Sequence, residues 1–175
     1  RHMHILPACM VIIANSLEEA KERRAKLDSL VHFESAIASL SIALGTDASV
    51  FDPNGMLPDI PETNAGQSSR EKAIRIAEEE CLTVRQLAQR IGGHSSLCLM
   101  GPPELVADQM EEGLSTGGAD GFTIQFPYLP QGLDDFVEKL VPILQKKGIY
   151  REDYEGNTLR ENLGLPRPKN QFRSV

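Results

Sequence analysis

Apolar residues fall along this chain in two rhythms. Residues 5–14, ILPACMVIIA, form an almost unbroken run rich in Val and Ile, the pattern of a strand buried on both faces as in parallel sheets. Asn15 and Ser16 then offer capping oxygens, and Glu18 and Glu19 suit the first turn of a helix. Ala20, Leu27, Leu30, Val31, Ile37, Leu40 and Leu44 recur at helical spacing, so the pattern predicts one long helix closed by Gly45. Further helices are expected over 68–80 and, capped by Thr83, over 83–91, ended by Gly92 and Gly93. SSLCLMG (95–101) reads as a short strand and 102–118 as a helix with proline in its first turn. ADGFTIQFPYLP (119–130) reads as a strand and 133–148 as a helix. Strand and helix alternate three times, the signature of a parallel sheet joined by right-handed crossovers.

Two segments interrupt the alternation. Residues 46–67 carry three prolines among Asn, Asp and Gly, which predicts a long irregular insertion, either a lid over a ligand or a surface meander. Residues 151–175 form a C-terminal tail. Thr158 and Glu161 make a Thr-x-x-Glu capping box ahead of Gly164 and Pro166, so a short capped helix is expected there, a structural lock with no catalytic geometry.

The 175 residues suit one domain spanning 1–175. Lys and Arg number 18 against 25 Asp and Glu, a net charge of −7, and the two signs are interspersed, which argues against a nucleic-acid partner. No apolar run approaches the roughly 20 residues that span a bilayer, and RHMHILP lacks the layout of a secretory signal. Cys9, Cys81 and Cys98 are odd in number and widely spaced, as for buried thiols in a reducing, cytoplasmic setting. His2, His4, His32 and His94 form no close ligand pair with them, so no metal is expected. The first residue is arginine and a buried-type strand follows at once, so either Met3 starts the chain or an upstream part is missing.

Several residue types invite chemistry and are better read as structure. The glycines form no G-x-G-x-x-G loop and no P-loop. Gly101 opens a helix where an anion could sit, yet Pro102 and Pro103 remove two amides such a site would use, so a tight turn is expected. His94 precedes its strand, the wrong end for barrel chemistry. Asp134 and Asp135 suit a helix dipole, and Ser95 and Ser96 have no base beside them. Residues at strand ends stand out instead. Met100, Gln125, Phe126, Pro127 and Tyr128 are the candidates for lining a substrate pocket.

The strings ILPACMVIIANSLEEA, LTVRQLAQRI, GPPELVADQMEEGLSTGGADGF and LDDFVEKLVPILQKKGIYREDYEGNTLRENLGL occur here in a telling order. Together they resemble the C-terminal part of bacterial-luciferase-like flavin monooxygenases, in the nitrilotriacetate and dibenzothiophene-sulfone monooxygenase group. The resemblance covers nearly the whole chain. It implies the C-terminal portion of a (β/α)8 TIM barrel, about three parallel strands with helices and a long insertion. It also implies reduced FMN supplied by a separate flavin reductase, O2 as co-substrate and a small organic substrate. Two positions depart from the pattern: Gly101-Pro102-Pro103-Glu104 stands where relatives usually show Gly-Thr-Pro-Glu, and Pro7-Ala8 where Pro-Gly is expected. Most flavin-holding residues should lie upstream of Arg1, so no catalytic or cofactor-binding residue is assigned. The alternative is a catalytically inactive truncated chain whose open sheet edges make it a binding or assembly module, and association into a homo-oligomer remains open. A small flavodoxin-like domain shares the alternation but needs a glycine loop after the first strand, which ACMVIIANSLEEA does not supply.

Overall fold

The structure is a computed structural model that describes residues 3–64, 66–93, 97–170 and 172. His2, His94, Ser95 and Ser96 lie outside the described residues. Strand β1 (Ala8–Ile13) is followed by α1 (Leu17–Ser29), α2 (Phe33–Leu44), α3 (Gln67–Glu79) and α4 (Val84–Gly93). Then come β2 (Leu97–Gly101), α5 (Pro103–Ser115), β3 (Thr123–Gln125) and α6 (Gln131–Asp135). A π-helical stretch (Phe136–Leu140) leads into α7 (Val141–Lys146), and α8 (Leu159–Asn162) lies in the tail.

The three strands are parallel, as expected, with β1 in the centre. Cys9 to Ile13 lie opposite Leu97 to Gly101, and Ala8 to Met10 lie opposite Thr123 to Gln125. The unbroken apolar run is explained by burial on both faces. Cys9, Val11 and Ile13 meet Val106, Ala107 and Met110 of α5 and Phe136, Leu140 and Leu144, while Met10, Ile12 and Ala14 meet Ala20 of α1. Helices α1 and α5 therefore cover opposite faces, as two right-handed crossovers running in opposite directions require.

The strand order β2-β1-β3 differs from the consecutive order of a barrel. Three strands cannot close on themselves, so β1 has an edge away from β2, and β3 pairs there.

The long helix expected after β1 is two helices, α1 and α2, bent by 100°. Its apolar positions serve two different cores: Ala20 and Leu27 pack on the sheet, whereas Ala36, Leu40 and Leu44 pack on α3 and α4. At the break the Leu30 and Val31 amides close short turns onto Leu27 O and Asp28 O, both at 3.1 Å. Gln89 Nε2 reaches across from α4 to the freed Val31 carbonyl at 3.0 Å. The Ser16 cap and the Gly45 stop are both present, Gly45 at φ 69°.

Helices α2 to α4 form an annex with its own apolar cluster. Gly92 and Gly93 are the last two residues of α4, which ends at Gly93 as expected. A Cβ on Gly92 would sit 2.7 Å from Ala36 Cα, so the glycine lets α2 and α4 touch backbone to backbone. The insertion is a strap on this annex: Val84 N donates to Gly55 O and Arg85 N to Pro53 O, each at 2.9 Å, which satisfies amides at the start of α4. Phe51, Leu57 and Ile60 pack on the same cluster, so the strap's partners are those of a meander held by its own anchors.

Strand β3 is only three residues, and Phe126 to Tyr128 leave it as a loop. Pro142 explains the π-helical stretch. It has no amide and crowds the preceding turn, and Val141 N bonds back to Phe136 O, five residues earlier.

Candidate functional site at the strand ends

At the C-terminal end of β1 the chain turns through Asn15 into α1, and Glu19 and Arg23 stand one turn apart on the same helix face. Arg23 gathers four acceptors. Its Nη1 donates to Ile13 O at 2.9 Å and to Tyr128 Oη at 3.3 Å, and its Nη2 to Glu19 Oε1 at 2.6 Å. Asp135 Oδ2 lies 3.8 Å from Nη1. Arg23 thus ties the end of β1 to the loop after β3 and to α6.

Asp135 is the buried member of this network, with 5% of its side chain exposed. Lys139 Nζ is 2.7 Å from Oδ1 and Gln131 Nε2 donates to Oδ1 at 3.0 Å. Burial alone would push its carboxyl up, but Lys139, Gln131 and Arg23 outweigh that and hold it below the usual carboxylate range. Asp135 is therefore more than a helix-dipole residue. Glu19 is likewise held low, first by the Asn15 amide and then by Arg23. Arg23 is held in its charged form, chiefly by its bond to Tyr128.

The five residues expected to line a pocket divide by position. Tyr128 joins the network, and its ring packs where a Gly132 Cβ would lie at 3.6 Å. Its hydroxyl accepts from Arg23, which leaves its own proton to donate. Phe126 packs edge-on against Phe136, centroids 5.5 Å apart, and supports the core. Pro127 is half-buried and Gln125 exposed at the end of β3. Met100 sits elsewhere: opposite Ile12 on β2, it lines an open groove of about 590 Å3 between α1 and the α3–α4 corner.

That groove holds a second charged network. Arg24 Nε donates to Asp28 Oδ1 and Oδ2 at 2.9 and 3.1 Å. Arg90 Nη1 reaches Asp28 Oδ2 at 2.9 Å and Nη2 pairs with Glu80. Two cations and two carboxylates balance. Cys98 lies beneath, and burial pushes its thiol up despite Arg24 nearby. Sequence reading missed Arg23, Glu19 and Lys139, although Glu19–Arg23 and Asp135–Lys139 are both spaced i,i+4.

A flavin phosphate is best held by unspent cations and backbone amides, and at the strand ends the nearby cations are already paired. Arg23 has four acceptors, and Lys139 is paired with Asp135. Gly101, at φ 133°, makes the expected tight turn, with Leu105 Cδ2 3.0 Å from where its Cβ would be. Pro102 and Pro103 follow without amides. These residues do not supply the donor set of a phosphate site.

No protein-family model matches the chain. Over 166 residues it is 45% identical to a component protein of the pristinamycin IIA synthase of Streptomyces pristinaespiralis, covering 94% of this chain and 39% of that protein. To nitrilotriacetate monooxygenase component A of Aminobacter aminovorans it is 44% identical over 172 residues, covering 97% of this chain and 38% of the relative. Among solved structures it is similar to EDTA monooxygenase from Chelativorans sp. BNC1 (TM-score 0.59, 33% identity, 94% of this chain, 39% of that one). It is also similar to DmoA from Hyphomicrobium sulfonivorans (TM-score 0.71, 27% identity, 91% and 34%). The chain thus spans about two-fifths of the length of the curated relatives it matches. Among the described residues no single helix is long and apolar enough to cross a membrane. With these relatives matched over nearly its whole length, the chain belongs to the luciferase-like flavin-dependent monooxygenases and corresponds to the C-terminal part of their barrel.

Proposed function

We propose that this chain forms the C-terminal strand-end wall of a monooxygenase that uses reduced FMN, delivered by a separate flavin reductase, to oxygenate a small organic substrate. The observation that supports this reading is the match of 97% of the chain to nitrilotriacetate monooxygenase component A at 44% identity. Reduced flavin would supply the electrons that activate O2. This chain's own residues orient and enclose. Arg23 fixes the Tyr128 hydroxyl as a donor at the strand ends, and Phe126 and Pro127 hold the loop that follows Gln125 in place. Met100 would contribute only from the groove side.

The test is a chimera in which this chain replaces the corresponding C-terminal part of nitrilotriacetate monooxygenase component A. Oxygenated product should form from a panel of amines, sulfones and alkanes only when FMN, NADH, O2 and a flavin reductase are all present. Tyr128→Phe should lower turnover by about tenfold, the scale of one ordinary hydrogen bond of about 1 kcal/mol. A folded chimera that consumes NADH without product above the uncoupled background would overturn the proposal and favour an inactive assembly module.

A further inference from the structure

We propose that the hollow between the proline-rich strap and α3 is a binding site for a small hydrophobic cation, an alkyl or arylalkyl ammonium ion. The site lies within the annex, all of its walls come from residues 56–78, and it is independent of the flavin reading.

Three observations carry it. First, the strap is pinned on both sides of the hollow. On one side Met56 forms an antiparallel bridge with Thr83, and Val84 N donates to Gly55 O at 2.9 Å. On the other side Arg70 Nη2 donates to Ile60 O. Leu57, Pro58 and Asp59 run between these anchors, and the rings of Pro58 and Pro61 fix the backbone φ at their positions. Between this span and α3 stays a half-open space of about 420 Å3. Small-molecule sites run from roughly 300 to 1,000 Å3 and are largely pre-formed, and a wall with few backbone freedoms loses little entropy when a ligand arrives.

Second, the walls are apolar and held from behind. Leu57 and Ile60 of the strap face Ile74 and Ala77 of α3. All four also rest on the apolar cluster of the annex, so packing fixes their positions. Met56 stands at the mouth, 57% exposed, and methionine adapts to irregular apolar surfaces. An apolar body entering here would take these side chains out of water.

Third, the only charges on the hollow are two carboxylates, Asp59 from the strap and Glu78 from α3, and no cation lines it. Neither side chain makes a hydrogen bond or ion pair among the described residues. Arg75 stands three residues before Glu78 on α3, a spacing that permits pairing, yet the two do not pair. Unneutralised carboxylates beside an apolar wall repel an anion and add nothing for a neutral ligand. An ammonium group is attracted by both, and more strongly where its own apolar body excludes water. The two halves of the hollow, apolar wall and paired negative charge, are therefore met together by one chemistry, a cation carried on a hydrocarbon body.

The probe is phenethylammonium, with 2-phenylethanol and 3-phenylpropanoate as neutral and anionic counterparts of similar size. Each is titrated into the full chain and followed by backbone amide NMR shifts. The cation should bind at least about tenfold more tightly than the alcohol, a difference that titration resolves, and the propanoate should not bind. Shifts should centre on residues 56–60 and 74–78. Asp59→Asn combined with Glu78→Gln should weaken the cation about tenfold and leave the alcohol unchanged. Both positions are exposed, so the fold tolerates the change. Added salt should weaken the cation's binding and not the alcohol's. No binding of the cation at millimolar concentration, equal affinity for cation and alcohol, an unaltered cation affinity in the double variant, or shifts centred elsewhere would each overturn the inference. None of these outcomes bears on the monooxygenase reading, which the chimera tests separately.

Discussion

Arg23 and Arg24 are neighbours on α1, and their side chains end in different regions. Arg23 is 36% exposed and joins the strand ends, where its partners come from the β3 loop and α6. Arg24 is 4% exposed and pairs with an aspartate that also binds Arg90 from the annex. One helix thus carries two charge networks about 100° apart on its surface. The first is open to water on its cationic side, where Lys139 is 52% exposed. In the second, both guanidiniums are largely enclosed. Removing the shared carboxylate should therefore have unequal consequences, because an uncompensated charge costs most where water cannot reach it.

The largest effect is expected at Asp28. Asp28→Ala leaves Arg24 and Arg90 facing one another and should lower unfolding free energy by about 3 kcal/mol. Urea titration followed by circular dichroism measures it. Asp28→Asn should be milder, since the amide still accepts.

Gly92 comes next and probes the annex without touching charge. Its missing Cβ would meet Ala36 backbone at 2.7 Å, and backbone cannot swing aside as a side-chain tip can. Gly92→Ala should cost about 2 kcal/mol through overpacking despite alanine's better helix propensity. Thermal melting decides the sign, and a gain in stability would mean that α2 and α4 can separate at no cost.

Asp135→Ala is the counterpart of Asp28→Ala and should cost only about 1 kcal/mol, because Arg23 and Lys139 can turn to water. A loss equal to that at Asp28 would erase the distinction between the networks. The same carboxylate sets a pH signature. Its folded-state pKa is depressed, so its stabilising contribution is present above the unfolded value of about 3.9 and is lost as pH falls below it. In Asp135→Asn, the fall in stability below about pH 4 should be shallower than in the unaltered chain, as acid titration of the unfolding midpoint would show.

These contrasts also mark what the sequence disclosed. The run around Met10 to Ile13 announced a strand buried on both faces because no polar residue breaks it, and the Gly45 and Ser16 caps could be placed because their chemistry is local. The break after Ser29 was hidden. Leu30 and Val31 keep the helical spacing, and only the separation of two cores, with Gln89 arriving from a distant helix, reveals that the stripe changes partner. Gly92 was legible only as a stop, since its close approach to Ala36 is a tertiary fact. Arg23 was invisible as a hub because three of its four acceptors lie elsewhere in the chain, and only the Glu19 pairing is local. The strand order was equally out of reach, because alternation of strand and helix is the same for a barrel and for an open sheet.

The smallest effect belongs to the tail, where the capping box read from the sequence is present atom for atom. Glu161 N donates to Thr158 Oγ1 at 3.2 Å, and Thr158 N donates to Glu161 Oε2 at 2.9 Å. Asn162 closes the same turn on Gly156 through two bonds, at 2.8 and 3.2 Å. All of these partners lie within α8 and the turn before it. Loss of the cap should therefore be felt there and not in the sheet or the annex. Thr158→Ala should destabilise α8 by about 1 kcal/mol, read as faster amide exchange at Glu161 and its neighbours, with the global unfolding midpoint unchanged. A shift in that midpoint comparable with the one expected for Asp135→Ala would mean that the tail braces the sheet, and the contrast would then have to be drawn among three regions.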